Sequence, residues 1–588
     1  MITLIMKNMK QIQAFLFIFI LLIFTIIANG QNDNTFSKSK LIEEYKSFVT
    51  NRMQKDSLIG AGIALIIDDS VIWKEGFGYA DKENHILFTT KTTLCIGSVT
   101  KTFTALGIMQ LQERGFINID KPLIDYLPQF SLKTRNTDIR EITVKSVINH
   151  TSGLPNDIFV SGKKDKYTTT VDYLKNEYLG YPPNTISHYS NVGYCLLGHT
   201  IFEVSGQDYP EYIQKNILSP IGMNNSGFIN FKELTNVSKT YDKSGQYHPL
   251  KEPRNLPAGS LYSNIDDMAK FAQELIAIYN GQQRSIIQSE TLKKIFCVQD
   301  NEAILDNDKK GIGWPIFKND SCFAVWHAGS NHVSNALIII VPEKKMAAVF
   351  LINTVGGINL AVDGMNKFLK IVGLEQNDSF HKNIARSRNT EPVDISIDSL
   401  KMHLGLYADT RSVVQIKPEN GKLILTANSG RYILYPITKN EFSFGNIHNS
   451  DSIQLLPNNR FIFKEIKGRH FLFWEDENYG LHNCCFLIKQ QTINDTWKKR
   501  LGTYKVTSST IGGYDIFSEV ELSISENNLL QLKIAYSSGQ YAYNMYIESD
   551  RELIFCGFGE TGGETVSFSK GNKNDLMTLY GLTLKKID

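Results

Sequence analysis

Hydrophobic and polar positions divide the chain into stretches with different periods. Residues 61–67 and 71–78 predict a β-hairpin turning at Asp68-Asp69-Ser70, and 335–341 with 346–353 predict a second, joined by Pro342-Glu343-Lys344-Lys345. Apolar residues recur at helical spacing over 102–115, 193–204, 209–217, 266–279 and 359–372. The first of these puts Phe103, Leu106, Ile108, Met109 and Leu111 on a buried helix that stops at Gly115. Ser263 is the expected N-cap of the helix over 266–279. An apolar strand-like run covers 322–326.

After Gly373 the pattern changes to a polar stretch and then to short alternating strands. Strands are predicted over 413–416, 422–427, 431–436, 460–465 and 470–474 in one unit, and over 519–525, 529–535 and 552–557 in a second. Leu404-Gly405-Leu406-Tyr407 and Leu501-Gly502-Thr503-Tyr504 mark the start of each unit, and Asn420-Gly421-Lys422-Leu423 matches Asn527-Asn528-Leu529 in position. Closed or nearly closed barrels would remove the edges such strands expose. Phe471, Phe473, Trp474, Tyr479, Tyr541 and Tyr543 are expected in barrel core and not in a sugar groove. The domain organisation is therefore 1–30, a targeting segment; 36–373, a mixed α/β domain; 374–398, a linker; and 399–495 and 496–588, two β-rich domains.

Lys7 and Lys10 precede the apolar run 14–28, and Ala28-Asn29-Gly30 supplies small residues before polar Gln31, the layout of a secretory signal peptide. The run is shorter than the roughly 20 residues of a comfortable membrane span, although retention as an anchor is the alternative. A secreted or periplasmic protein is expected. The 588 residues exceed one domain, and 42% hydrophobic with 21% charged residues is ordinary globular composition. A net charge of +2 gives no reason to expect nucleic acid. The 12 histidines and 7 cysteines are scattered, with no H-E-x-x-H, C-x-x-C, EF-hand or P-loop pattern, so neither metal nor organic cofactor is expected. Cys95, Cys195 and Cys297 lie in apolar surroundings and are expected as core thiols.

The candidate chemistry begins at Gly97-Ser98-Val99-Thr100-Lys101, an S-x-x-K at a helix start. Residues three apart share a helix face, so the amine can lie beside the hydroxyl. The positive end of the helix helps keep a buried lysine deprotonated, and a neutral lysine can take the serine proton during attack on a carbonyl. Further pieces follow in order: Asn149-His150-Thr151-Ser152-Gly153-Leu154, then Tyr189-Ser190-Asn191 as Y-x-N, Ser219-Pro220-Ile221-Gly222-Met223, Ala258-Gly259-Ser260-Leu261-Tyr262-Ser263, and His327-Ala328-Gly329-Ser330 as H-x-G. No G-x-S-x-G elbow competes for the nucleophile.

These motifs resemble those of the serine hydrolases related to class C β-lactamases and low-molecular-weight penicillin-binding proteins, over residues 36–373. In layout the chain is similar to D-aminopeptidase-type peptidases and esterases with C-terminal β-barrel domains. The resemblance implies an α+β fold: an antiparallel sheet flanked by helices plus a helical region, followed by two antiparallel barrel-like domains. It implies Ser98 as the acylated nucleophile, Lys101 as its activating partner and Tyr189 as the second proton carrier. Asn191, His327, Gly329 and Ser330 would bind substrate, with the backbone N–H groups of Ser98 and Ser330 forming the oxyanion hole. His150 is read as a packing residue, and Ser260 and Ser263 as non-catalytic. The expected function is hydrolysis of a small amide, such as a D-amino-acid-containing peptide, or of an ester, with peptidoglycan fragments among possible partners. Carboxylesterase or weak β-lactamase activity and a catalytically silent peptidoglycan-binding protein are the alternatives.

Overall fold

A computed structural model describes residues 38–135, 137–157, 167–229, 233–249, 255–299, 309–374, 392–449, 452–466, 468–476, 480–488, 492–507, 517–536, 539–556, 562–570, 575–580 and 582–587. The targeting segment, Tyr479 and most of the 374–398 linker lie outside the described residues. Helix α1 (Lys38–Asp56) carries Leu41, Tyr45, Val49 and Met53 four residues apart along one face.

The hydrolase-like region is built on one antiparallel sheet of eight strands. Its strands are β1 (Gly60–Ile67), β2 (Ser70–Asp81), β3 (Ile86–Leu87), β6 (Lys309–Lys310), β7 (Pro315–Lys318), β8 (Phe323–Ser330), β9 (Asn335–Val341) and β10 (Met346–Ile352), in the order β3-β2-β1-β10-β9-β8-β7-β6. A separate pair, β4 (Leu94–Cys95) and β5 (Tyr262–Ser263), lies beside it in sequence order. Both predicted hairpins form, β1 with β2 and β9 with β10. Every residue of β1 and β9 is buried, because helices cover both faces of the central strands.

Helix α2 (Thr100–Glu113) is buried at twelve of its positions, and Phe103 stacks on Phe271 with centroids 4.2 Å apart. Helix α3 (Asn191–Ser205) is buried along most of its first three turns and ends at Gly206 with φ +69°. Helix α4 (Ile265–Tyr279) lies on the sheet face of Gly62, where a Cβ would meet Ile265 Cγ1 at 2.7 Å. Helix α5 (Ile358–Ile371) covers the opposite face, its Gly364 pressed against the Phe350 ring.

Three local expectations are corrected. The 209–217 helix is interrupted: an α-turn over Tyr209–Ile213 passes into a π segment, Gln214–Leu218. The N-cap of α4 is Asn264, whose side chain accepts from Asp267 N, while Ser263 belongs to β5 and its hydroxyl pairs with Ser226 at 2.8 Å. Cys297 is exposed, since Leu292, Ile295 and Phe296 take the inward positions around the end of the preceding helix.

The C-terminal part forms two closed eight-stranded barrels, each with strands in sequence order: β11 (Gly405–Ala408) to β18 (Gly480–Ile488), and β19 (Gly502–Val506) to β26 (Leu582–Lys586). The repeat seen in sequence is structural. Tyr407 donates its hydroxyl to His403 O at 3.2 Å, and Tyr504 donates to Arg500 O at 2.7 Å, both four residues back and both fully buried. Each barrel has its own apolar core. Phe471 and Phe473 are buried, but with Leu529 and Cys556 of the second barrel, so they fill the junction between barrels. Tyr543 is buried inside the second barrel and Tyr541 packs against its core.

Candidate active site

The turn that carries Ser98, the candidate nucleophile, is fixed by backbone crowding. Ile96 N donates to Leu261 O, Gly97 takes φ +52°, and the Thr100 hydroxyl bonds back to Gly97 O at 2.7 Å. Ser98 is half-buried in the 3₁₀ turn Gly97–Val99, directly ahead of α2. The end of β8 crosses this turn at two glycines. A Cβ on Gly97 would lie 2.8 Å from Ser330 N, and one on Gly329 would lie 2.8 Å from Ser98 N and 2.0 Å from Ile96 O. The two amides expected to hold an oxyanion are thus brought close by residues without side chains.

Lys101 follows one turn later and is fully buried. Its Nζ lies 3.1 Å from Ser98 Oγ, 2.8 Å from Asn191 Oδ1 and 2.7 Å from Ala258 O. Burial pushes its ammonium down from the usual lysine range to about 7, against the opposing pull of Cys195 and Asp157. The three partners then decide where the lone pair goes. Ala258 O can only accept, and Asn191 Oδ1 is fixed as an acceptor because Nδ2 donates to the Asp157 carboxylate at 3.1 Å. A neutral amine keeps two N–H groups, which these acceptors claim. Its lone pair is left facing the Ser98 hydroxyl, which must be the donor.

Tyr189 is half-buried, its ring 4.8 Å from Lys101 Nζ and its centroid 4.3 Å from that of His150. His150 accepts from Ser190 N through Nδ1 at 3.0 Å, and burial, with Lys101 and Lys310 nearby, holds it well below its usual pKa. A neutral ring tied to backbone and packed at a tilt against Tyr189 positions that tyrosine, in line with the packing reading.

His327 is buried on β8, and burial, reinforced by Lys101, lowers its pKa to about 4. Its Nδ1 lies 2.7 Å from Ala328 O, a carbonyl that can only accept, so the ring proton belongs on Nδ1 and Nε2 is an acceptor.

Ser98, Tyr189, Asn191, His327, Gly329 and Ser330 all line one cleft of about 670 Å³, with Lys101 behind Ser98. Trp314, Trp326 and Ile358 add apolar wall, and Lys310, bonded to Ser187 Oγ at 2.6 Å, adds a cation. Two residues escaped the motif analysis. Asp157 orients Asn191 and accepts from Asn255 Nδ2 at 3.0 Å. Lys310 sits in a lysine pair with no distinguishing spacing. Ser260 is buried beside the nucleophile turn, and Ala258 of the same segment supplies the carbonyl that holds Lys101. Among the described residues no group of three or more His, Cys, Asp or Glu could hold a metal.

Comparison with known proteins gives this geometry a context. The chain is 27% identical over 355 residues to Beta-lactamase-like protein 4 of Dictyostelium discoideum, covering 54% of this chain and 60% of that protein. It is 25% identical over 334 residues to Protein flp of Staphylococcus aureus strain N315, covering 55% and 64%. The chain thus spans less than two thirds of the length of these relatives. In fold it is similar to the octameric penicillin-binding protein homologue from Pyrococcus abyssi, with TM-score 0.50, 23% identity, and 76% and 99% of the two chains covered. The structure of SurE with D-Leu gives TM-score 0.52 at 18% identity, covering 75% and 99%. Residues 46–366 match the family described as Beta-lactamase, and with the sheet, the helical region and the two C-terminal barrels in place, the chain belongs to that β-lactamase-related family.

Proposed function

We propose that this protein is a serine hydrolase that forms an acyl-enzyme through Ser98, acting on a small amide or ester. The observation that carries this is the Lys101 amine, buried, 3.1 Å from Ser98 Oγ and lowered to about 7. Ser98 Oγ attacks the substrate carbonyl carbon while its proton moves to Lys101 Nζ. The resulting oxyanion is met by the backbone N–H groups of Ser98 and Ser330. Tyr189 carries a proton to the leaving amine or alcohol as the carbon–heteroatom bond breaks, and water then releases the acid and restores Ser98.

The neutral His327, with Nε2 as an acceptor, favours substrates without a carboxylate at that subsite. With the barrel extensions of D-aminopeptidase-type members, this supports a peptide or amide bearing a D-amino acid. The apolar segment over 14–28 supports action outside the cytoplasm, where peptidoglycan fragments are one source of such peptides. A second reading, a carboxylate-bearing substrate, is favoured by the Lys310 cation on the cleft wall.

The test is labelling by a fluorophosphonate, mapped by peptide mass, alongside a screen of D- and L-aminoacyl amides, acyl esters and a chromogenic cephalosporin. Wild type is expected to label on Ser98, and Ser98→Ala to lose ~10³-fold or more of kcat/KM while keeping its fold. A folded Ser98→Ala protein with normal turnover would end this reading, and absent labelling would favour a silent binding protein.

A further inference from the structure

Among the contacts of the second barrel with the region of the candidate site is a buried carboxylate. Glu564 immediately precedes β24 (Thr565–Lys570) and is only 4% exposed. Its Oε1 accepts from Asn156 N at 2.7 Å and lies 3.7 Å from His188 Nε2. His188 is itself 2% exposed. The buried Tyr580 is a further polar group that faces this carboxylate.

Asn156 itself lines the cleft, and His188 directly precedes Tyr189. Asn156 O accepts from Asn191 N at 2.7 Å and Val192 N at 3.3 Å, so this peptide closes the start of α3. The next residue, Asp157, holds the Asn191 amide whose oxygen receives the Lys101 amine. On the other side, His188 donates its backbone N–H to His150 O, and the His150 ring packs against Tyr189. One side chain therefore touches the segment that orients Asn191 and the segment that carries Tyr189.

We propose that Glu564 is a positioning residue for acylation at Ser98, supplied by the second barrel, acting through Asn156 on Asn191 and through His188 on Tyr189. This rests on the hydrolase reading above. Docking of the barrel alone does not require this carboxylate. Arg135 already pairs with Glu548 and Glu552 at 3.5 Å and stacks on Tyr178 at 4.0 Å, in a more exposed setting where charges cost less to hold. Burial raises the Glu564 pKa, and a buried carboxylate is an unfavourable way to join two domains. Holding a turn through a hydrogen bond of fixed reach is what this geometry does well.

The test uses the full chain, with 4-nitrophenyl butyrate turnover and the rate of fluorophosphonate labelling at Ser98. Glu564→Ala and Glu564→Asp, which removes or shortens the acceptor, are expected to lower kcat by about 10- to 100-fold with KM little changed. Glu564→Gln, which keeps an acceptor for Asn156 N, is expected to recover most of the loss. Arg135→Ala is expected to weaken barrel docking and leave kcat within about twofold. If Glu564→Ala does not fold, the Asp and Gln pair carries the comparison. Equal kcat in all Glu564 variants, a loss confined to KM, or an equal loss in Arg135→Ala would overturn the proposal. Wild-type protein that never labels at Ser98 would instead remove the hydrolase reading, and this inference with it.

Discussion

Lys101 is held where burial outweighs the opposing pull of Cys195 and Asp157, and that balance sets a pH dependence. With its pKa lowered to about 7, the amine is free above that pH and protonated below it. The rate of Ser98 labelling is expected to rise through about pH 7 and then level, falling close to tenfold per unit on the acid side. A rate that stays flat from pH 5.5 to 8.5 would show that Lys101 is not the base. His327 makes the complementary case. Neutral at all these pH values, it gives a carboxylate no charge to pair with, so His327→Lys is expected to speed acylation by a fluorescent penicillin by about tenfold, the order of one charge-assisted hydrogen bond. No gain in a folded variant would assign carboxylate selection elsewhere on the wall, where Lys310 is a candidate. The motif residues were legible because their spacing is itself chemical: three residues make one helical turn. Asp157 was not, since it lies in an Asn- and Asp-containing turn where such residues serve as turn formers. Glu564 stands alone in sequence, and only the fold brings it to Asn156.

At the scale of elements, the crossing of β8 over the nucleophile turn is the joint that admits least change. Gly329→Ala would place a methyl 2.0 Å from Ile96 O, a contact that moves one backbone or the other. Thermal unfolding is expected to remain cooperative while labelling at Ser98 falls by about 100-fold, because the oxyanion donors separate. Retained labelling in Gly329→Ala would show that the crossing does not align them. Hairpins and long helices were readable because their apolar periods are strong and local, as in 61–67 with 71–78. The failures were at competing local options. Ser263 and Asn264 are both good caps, and the choice fell to Asn264 because Ser263 was already paired across β4 and bonded to Ser226. The π segment at Gln214–Leu218 contains neither Gly nor Pro, so nothing in its sequence marks the change of helix type.

For the whole molecule, the hydrophobic core of the β-lactamase-like part runs from Ala64 to Leu351 and, among the described residues, includes none from the barrels. A chain ending at Gly373 is therefore expected to fold and unfold cooperatively, yet to label at Ser98 more slowly by about tenfold or more, because Asn156 N loses Glu564. Labelling at the full rate would make the barrels dispensable to the chemistry. Strand positions in the C-terminal region were legible from alternation and turn residues, and the Leu-Gly-x-Tyr repeat pointed to two like units. Closure was expected from the edges such strands would otherwise expose and from the family resemblance, since the meeting of last strand with first is a pairing that no local pattern encodes.

That closure bears on how such a molecule can be assembled over time. In each barrel the first strand pairs antiparallel with the last, Leu406 opposite Ile488 and Tyr504 opposite Lys586, so the chain leaves beside the point where it came in. Topologically, each barrel is a loop that returns to its own origin. A lineage could gain or lose one as a single inserted cassette without rerouting the remaining backbone, and a duplicated copy could drift freely until one of its turns, like that around Glu564, found something to hold.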